Sequence, residues 1–379
     1  MKIGVLIPNV SLVGGASRVA INQVKHLIKM GYEAKLLTLS NSSYEVPHSV
    51  IGSRFPLPFM KTSLPVLVNI IWGLNIKKPN VDVVVAHGIT SILALRLKKK
   101  YGIDYVNYIH HPLSFLYGKP IHENEERDIL GPLSIYPLKL TWNKSILAQD
   151  DLKSIKEACY NFANSQRILK FMFKIYGKIK AEVCYPAIED TFHSVLPQSE
   201  FKEDYILYAS RHVMQKGFHL LPEILSKLRN EAHLVIAGRP TELTTIVFNK
   251  FRKLGLQDKV ILKPNMSKSE LLDFYKRSKV LLFPAFREDF GLSPVEGMAT
   301  GAIPVVWQDG GGVEETVQNF KTGLFAKPYD IGDYASKVDL LLEDKKLYTS
   351  ILCSAKEYSK TFSWDKHVEK ILKVIAVMS

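Results

Sequence analysis

The 379-residue sequence contains no run of about 18 apolar residues, so it offers no candidate transmembrane helix. Its first eight residues are too few, and too soon interrupted by Pro8, to form a signal peptide, and they are typical of a buried strand. Only three cysteines occur, Cys159, Cys184 and Cys353, and they lack the spacing of a zinc site or disulfide framework. These absences favour a protein of the reducing cytoplasm.

Several ligand-binding motifs are missing as well. The sequence has no Gly-x-Gly-x-x-Gly pattern and no lysine-bearing phosphate loop, which disfavours dinucleotide or ATP binding. It has no Asp-x-Asp pair to hold a metal ion. No basic helix, zinc pattern or aromatic-rich strand motif indicates nucleic acid. We therefore predict no cofactor, no metal ion and no nucleic-acid partner.

Positive charge is abundant and unevenly spread. The net charge is +13, and residues 1–190 hold 24 Lys and Arg against 14 Asp and Glu, leaving 26 against 23 in the remainder. A basic first half indicates an anionic partner, such as a phosphorylated acceptor or an anionic membrane surface. A basic face that is merely solvated is the alternative.

Short apolar runs alternate with helical patterns along the whole chain, as parallel α/β architecture requires. The length exceeds that of one compact core. We predict two doubly wound parallel sheets in tandem, with boundaries giving domains 1–190 and 191–362 and a final amphipathic helix over 363–379. Two segments fit the alternation poorly. Residues 55–76 are apolar but broken by prolines, which suits either a membrane-interface surface or a buried helix, and residues 112–157 are candidates for binding the acceptor.

The segment from Glu288 to Glu296 is the most informative motif. It follows an apolar strand, and Pro294 is typical of the first residues of a helix. Gly291 permits close approach of a ligand, and the amides of Leu292 and Ser293 would lie at a helix N-terminus that favours phosphate. Carboxylates accept hydrogen bonds from sugar hydroxyls. The combination of a phosphate-binding turn and two glutamates predicts a nucleotide-sugar site.

Other candidate residues also follow predicted strands. Arg211 ends one strand and Lys216 comes five residues later, so both cations could neutralise a diphosphate. Gly14 and Gly15 follow the first strand, where paired glycines permit close backbone approach. His110 is placed to reach a ligand at the end of its strand, whereas an adjacent histidine in an extended chain points the other way. The glycines of residues 309–312 predict another ligand-approach loop or a flexible turn.

Together these residues resemble the retaining glycosyltransferases of family 4, which have the two-Rossmann-domain GT-B architecture. The resemblance runs from Gly14-Gly15 through His110, Arg211 and Lys216 to Glu288 and Glu296. It covers nearly the whole chain and ends at the Trp364 helix, which in that family crosses back onto the first domain. Segments such as Tyr108 to Pro112 look most like members that mannosylate lipid-linked oligosaccharides. The sequence departs from the family at residue 16, where a third glycine is common.

The resemblance implies a role for each site residue. The first domain would bind the acceptor and the second the donor, a UDP- or GDP-linked sugar, across the cleft of the GT-B fold. His110 would contact the transferred sugar, and Glu288 a donor sugar hydroxyl. The implied donor-binding residues are Gly14, Gly15, Arg211, Lys216, Asn265, Met266, Glu288, Phe290, Gly291, Leu292, Ser293 and Glu296, the last on the ribose. The implied acceptor-binding residues are Arg18 and His111, and the implied catalytic residues are His110, Glu288, Arg211 and Lys216.

The implied activity is transfer of a hexose, with mannose as one candidate, to a hydroxyl of a lipid-linked or phosphate-bearing glycan at the cytoplasmic membrane face. Front-side displacement, in which the leaving diphosphate deprotonates the acceptor, is the expected mechanism, and double displacement stays open. A soluble sugar acceptor is one alternative. A nucleotide-sugar epimerase of the same fold is another, although its pattern does not usually combine both glutamates with the Gly14-Gly15 turn.

Overall fold

The computed structural model describes residues 1–8, 14–39, 45–52, 76–118, 137–194 and 203–378. The chain divides into two compact units, of which the first is Met1–Pro186 with Trp364–Ser379 and the second is Ala187–Ser363. Each unit holds one sheet whose described strand pairs are all parallel. Helices connect the strands, so the prediction of two doubly wound α/β sheets is confirmed.

The first unit is built on a seven-stranded sheet with the order β3-β2-β1-β4-β5-β6-β7. Its strands are β1 Lys2–Leu6, β2 Glu33–Thr38, β3 His48–Val50, β4 Val83–His87, β5 Asp104–Ile109, β6 Tyr160–Ala163 and β7 Ala181–Val183. Its helices are α1 Gly15–Lys29, α2 Ser91–Tyr101, α3 Pro137–Lys156, α4 Gln166–Tyr176 and, at the end of the chain, α13 Trp364–Met378. Short 3-10 turns follow β4 and β5, at Gly88–Thr90 and Ser114–Tyr117.

Sequence patterns missed parts of this unit. The strand β3 pairs with β2 but has only one apolar residue in three, so the sequence shows no alternating pattern that predicts it. The helix α3 occupies much of the 112–157 segment that the sequence left unassigned. The apolar segment 55–76 lies outside the described residues except for Ile76, which is buried.

The second unit is built on a six-stranded sheet with the order β10-β9-β8-β11-β12-β13. Its strands are β8 Glu203–Ala209, β9 His233–Gly238, β10 Val260–Pro264, β11 Ser278–Phe283, β12 Ile303–Trp307 and β13 Leu324–Ala326. Its helices are α5 Asp190–His193, α6 Leu221–Ser226, α7 Glu242–Lys253, α8 Lys268–Arg277, α9 Leu292–Thr300, α10 Val313–Thr316, α11 Ile331–Glu343 and α12 Lys345–Ser359. A 3-10 turn, Phe218–Leu220, leads directly into α6, whose second residue is Pro222.

Strand order reverses once in each sheet. In the first sheet the reversal falls between β1 and β4, and in the second between β8 and β11. The loops after two such strands diverge to opposite sides and leave a crevice at the carboxyl edge, where α/β proteins bind ligands. We call these two places the first and the second switch point.

Candidate functional site

The second switch point brings together two of the predicted catalytic side chains. The Lys216 ammonium donates a hydrogen bond to the Glu288 carboxylate, and both side chains are partly buried, at 19% and 17% exposed. Arg211 follows β8 directly and is exposed. The sequence assigned Lys216 to the diphosphate and Glu288 to a sugar hydroxyl, and the structure places the two groups against each other. The ammonium has three N–H donors, so a diphosphate that binds Lys216 would share it with the carboxylate.

Backbone contacts hold the two loops of this switch point in place. The buried Tyr208 hydroxyl donates to the carbonyls of Arg211, at 2.9 Å, and Lys216, at 3.3 Å. The Phe286 amide donates to the Gln215 carbonyl at 2.9 Å. Gly217 has φ +67°, and a Cβ there would lie 2.0 Å from the Pro284 carbonyl oxygen, so only glycine fits between the loops. The position of Lys216 is thus set by its neighbours on both sides.

Helix α9 begins two residues earlier than its proline indicated. Gly291 precedes the helix with φ +87°, Leu292 is its first residue, and Pro294 is its third. Proline is tolerated there because the first amides of a helix have no partner within it. The Ser293 hydroxyl donates to the Ala209 carbonyl, the last of β8, at 2.9 Å. This bond ties the helix N-terminus, with its partial positive charge, to the strand that carries Arg211.

The two glutamates of the motif lie in different surroundings. Glu296, in the middle of α9, is 1% exposed and accepts a hydrogen bond from the Tyr275 hydroxyl at 2.9 Å. Glu288 stands before the helix beside Lys216. Because one carboxylate is buried within the unit and the other is partly open to solvent, Glu288 is the more accessible of the two for a sugar hydroxyl.

The glycines of residues 309–312 have a structural explanation. A Cβ on Gly312 would lie 1.9 Å from the Asp289 carbonyl oxygen, and one on Gly311 would lie 3.0 Å from the Glu288 amide nitrogen. The Asp309 carboxylate also accepts from the Arg287 amide at 2.7 Å. Close packing against the backbone of Glu288 and Asp289 therefore requires Gly311 and Gly312.

Three further residues predicted to bind the donor differ in how far their side chains are exposed. Asn265 and Met266 follow β10 on the same edge of the sheet; Asn265 is exposed with φ +54°, a conformation that asparagine tolerates, and Met266 is partly buried. Phe290 is 3% exposed and packs edge-on against Phe362, with ring centroids 5.7 Å apart. Its side chain belongs to the hydrophobic core of the unit.

At the first switch point, the glycine turn opens α1. Gly14 precedes the helix in an extended conformation, with φ −110° and ψ 178°, and Gly15 is the first helical residue. Arg18 is partly buried, and its carbonyl accepts from the Asn22 side chain at 2.9 Å. The other predicted acceptor residue, His111, is partly buried beyond the end of β5.

His110 at the end of β5 is joined to a histidine that sequence reasoning missed. His87 closes β4, a strand buried at all five residues, and its Nδ1 lies 2.9 Å from Nε2 of His110. Nε2 of His87 lies 2.8 Å from Oε1 of Gln23 on α1. One signal could have revealed both residues, since a histidine in an otherwise apolar strand and a glutamine on the buried face of a helix each need a polar partner.

The described part of the chain offers neither a metal-binding cluster nor a membrane-spanning helix. No cluster of three or more His, Cys, Asp or Glu side chains there has the arrangement to hold a metal ion. None of the helices there has both the length and the apolar character needed to cross a membrane.

Two doubly wound units in one chain are the architecture of the GT-B fold. The profile described as Glycosyl transferases group 1 matches residues 194–358, and the profile Glycosyltransferase Family 4 matches residues 13–192. The two matches together take in both units. The chain therefore belongs to the family 4 glycosyltransferases and has the GT-B fold.

Individual glycosyltransferases and solved structures are also similar to this chain. The D-inositol 3-phosphate glycosyltransferase of Xylanimonas cellulosilytica is 30% identical over 178 residues, 45% of this chain and 42% of that protein, so the chain spans less than half of that relative. The structure of Anabaena HepE in complex with UDP and glucose matches with a TM-score of 0.75 at 16% identity, covering 100% of both chains. A sucrose-phosphate synthase of Thermosynechococcus elongatus matches with a TM-score of 0.80 at 14% identity, over 100% and 99%. At these identities the structural likeness shows a common fold.

Proposed function

We propose that the protein is a retaining, metal-independent hexosyltransferase that moves a hexose from a UDP- or GDP-linked donor to a hydroxyl of a lipid-linked or phosphate-bearing glycan. The observation that carries the proposal is the bonded pair of Lys216 and Glu288 at the second switch point, where Lys216 lies five residues after Arg211. An ammonium and a guanidinium suit a diphosphate, and a carboxylate suits sugar hydroxyls. These are the two parts of a nucleotide sugar that differ most in charge.

The proposed step is a front-side displacement. The bond between the anomeric carbon and the diphosphate oxygen breaks, and a bond to the acceptor oxygen forms on the same face of the sugar. The acceptor proton passes to the departing phosphate. Negative charge grows on the diphosphate as the bond breaks, so Lys216 and Arg211 stabilise the transition state more than the bound donor. The amides of Leu292 and Ser293 assist at the start of α9.

The identity of the acceptor rests on charge and on relatives. Residues 1–190 are strongly basic, which suits a phosphorylated acceptor or an anionic membrane surface. The Xylanimonas relative is named for inositol 3-phosphate, a soluble phosphorylated acceptor. Transfer to a soluble sugar phosphate is therefore the second candidate. Sedimentation with anionic lipid vesicles at low salt separates the two: the lipid-linked proposal expects the protein to pellet with the vesicles, and the soluble one does not.

Turnover with defined donors tests the activity. UDP-glucose and GDP-mannose are each incubated with the protein, first alone and then with inositol 3-phosphate or a lipid-diphosphate-linked glycan. We expect an acceptor to accelerate nucleotide release strongly and the product to keep the anomeric configuration of the donor, as read by proton NMR. An inverted product would contradict the retaining mechanism. Conversion of the donor sugar without an acceptor would identify an epimerase instead.

A further inference from the structure

A continuous chain of hydrogen bonds crosses the interior of the first unit and ends on His110. It starts at the Tyr185 carbonyl, which lies 2.7 Å from Nδ1 of His367 on α13. Nε2 of His367 lies 2.8 Å from Nε2 of Gln23 on α1. Oε1 of Gln23 lies 2.8 Å from Nε2 of His87, whose Nδ1 lies 2.9 Å from Nε2 of His110. We call the side chains of His367, Gln23 and His87 the relay.

The direction of every bond in this chain follows from its first member. A carbonyl only accepts, so Nδ1 of His367 carries the hydrogen and Nε2 of the neutral ring accepts from the Gln23 amide. The amide oxygen of Gln23 must then accept from Nε2 of His87. This leaves Nδ1 of His87 as an acceptor, and Nε2 of His110 as the donor to it. The side chains of Gln23, His87 and His367 are at most 3% exposed, so each polar atom in the relay needs the partner it has.

Burial keeps the relay neutral. It lowers the pKa of His87 well below the usual histidine value, and it lowers that of His367 to about 4. Other titratable groups surround the two rings: Tyr108 lies between His87 and His367, and the Cys184 thiol lies 3.4 Å from Nδ1 of His367. His26, on α1, further disfavours a charge on His367. A protonated His87 would point a hydrogen at the hydrogen of His110 Nε2, and a protonated His367 would point one at the Gln23 amide nitrogen, so either charge would break the order of the chain.

We propose that Gln23, His87 and His367 are positioning residues that fix the neutral His110 ring with its hydrogen on Nε2, so that Nδ1 accepts a hydrogen bond from a hydroxyl of the transferred sugar. The inference rests on the proposed function in assigning His110 to the sugar. Its structural half, the fixed tautomer, rests on the four bonds alone. A histidine without such neighbours exchanges between two tautomers, and only one of them offers an acceptor at Nδ1.

Substitutions of Gln23 should show whether the relay fixes the ring. In Gln23→Glu one carboxyl oxygen can still accept from Nε2 of His87, and the other, which replaces the amide nitrogen, shares a hydrogen with Nε2 of His367. Nδ1 of His87 therefore still accepts, and His110 should keep its hydrogen on Nε2. Gln23→Met, which removes both polar atoms and adds no charge, should leave His110 as a mixture of tautomers.

Nitrogen NMR of the full-length protein labelled with 15N-histidine reads the tautomer directly, without substrate. The nitrogen shifts separate ring nitrogens that carry hydrogen from those that do not, and the His110 signals are those missing in His110→Gln. We expect hydrogen on Nε2 in the wild type and in Gln23→Glu, and a mixture of the two neutral tautomers in Gln23→Met. Asn22→Asp makes the same amide-to-carboxylate change one residue earlier on α1, and it should leave His110 as in the wild type.

The possible results separate the inference from the proposed function. If His110 keeps its hydrogen only on Nε2 in Gln23→Met, the relay does not fix the ring and the inference is overturned, whatever the turnover. If the His110 tautomer changes in Gln23→Met and the rate of sugar transfer by that variant falls about tenfold, the inference is supported. A tenfold loss is that expected for one hydrogen bond. If the tautomer changes while turnover in His110→Gln stays normal, the assignment of His110 to the sugar is wrong.

Discussion

The two switch points lie at equivalent places in their sheets but differ in charge. At the first, the side chains of His87 and Gln23 are buried, neutral and bonded in one direction. At the second, Lys216 and Glu288 are partly open to solvent and form an ion pair. Under the proposed function, the same topology serves two kinds of recognition, because neutral hydrogen bonds suit sugar hydroxyls and charged side chains suit phosphate.

The difference in burial explains the difference in charge. A buried charge without a full set of partners is costly, whereas a buried neutral network that is fully hydrogen-bonded is tolerated and rigid. An ion pair at 19% and 17% exposure is only partly screened by water, so a charge released from it is best accommodated by another charged partner such as a phosphate. The first switch point is thus built to hold a geometry, and the second to exchange partners.

Substitutions in the ion pair of the second switch point should have the largest effect on the rate of transfer. Lys216→Ala and Glu288→Ala should each lower the rate of transfer by about 10²–10³-fold, the loss typical of a group that stabilises transition-state charge. The fold should remain, since the loops are held by Tyr208 and Gly217 rather than by the pair. Steady-state kinetics measures the effect.

Lys250→Ala is the matched control for these variants, because Lys250 pairs with Glu223 on an exposed surface of the same unit. It should transfer sugar at the wild-type rate. Near-normal turnover in Lys216→Ala would show that the ion pair is not part of the active site.

A buried carboxyl in the first unit shows the same preference for neutrality. Burial raises the pKa of Asp151 to about 7, although the hydroxyls of Tyr117 and Tyr176 both donate to it at 2.9 Å. The folded state thus holds a proton that the unfolded chain releases near pH 4, so stability falls as the pH rises from about 4 to 7. Asp151→Asn keeps an acceptor for both tyrosines and should gain up to about 4 kcal/mol over the wild type at pH 8.

Urea denaturation at several pH values checks this gain. Asp150→Asn is the control, since Asp150 is a partly exposed neighbour that pairs with Arg96 at 3.3 Å. It should change stability by no more than about 1 kcal/mol. An Asp151→Asn protein that is less stable than the wild type at pH 8 would show that the carboxyl is charged and needed there.

The relay itself predicts a pH dependence of opposite sign. The unfolded chain protonates His367 near pH 6.5, but the folded protein does so only near pH 4 because the ring is buried. The free energy of unfolding should therefore fall by about 3 kcal/mol from this residue as the pH drops through that window. His367→Gln, which can still donate to Tyr185 and accept from Gln23, should flatten the slope.

Urea denaturation at several pH values measures how steeply the free energy of unfolding depends on pH. His233→Gln, at an exposed position, is the control. If the pH dependence of the free energy of unfolding is unchanged in His367→Gln, burial does not keep the His367 ring neutral.

The smallest expected effect concerns the anchor of α9. Ser293→Ala removes the hydrogen bond to the Ala209 carbonyl and should lower stability by about 1 kcal/mol. Donor affinity should fall only a few-fold, because Lys216 and Arg211 remain. Thermal denaturation and nucleotide titration together measure both effects, and a loss of affinity as large as that of Lys216→Ala would place the charge-based account in doubt.

Sequence patterns predicted the architecture well, for a physical reason. Buried parallel strands such as β4 read as unbroken apolar runs, and helices such as α8, predicted over the residues the structure shows, carry clear caps. The motif around Glu288 could be placed because a strand, a glycine and a helix start occur in order. The start of α9 was misplaced by two residues, because proline is tolerated at several positions of a first turn.

The long-range pairings could not be predicted. Nothing local connects Gln23 with His367, which is 344 residues away, and nothing in the sequence indicates that Lys216 and Glu288 bond to each other. The burial of Phe290 in the core was equally hidden, since its neighbours Glu288 and Gly291 are site residues. Such pairings depend on which strands become neighbours, and the strand order is decided by the whole sheet.

The central claim is that the charged second switch point binds the diphosphate of a nucleotide sugar. Calorimetric titration of UDP and of GDP into the wild type, Lys216→Ala and Lys250→Ala tests it most directly. The account predicts that one of the two nucleotides binds the wild type and Lys250→Ala equally well, and Lys216→Ala at least about tenfold more weakly, the loss of one charge-assisted hydrogen bond. Equal affinity in all three proteins, or no binding of either nucleotide, would contradict it.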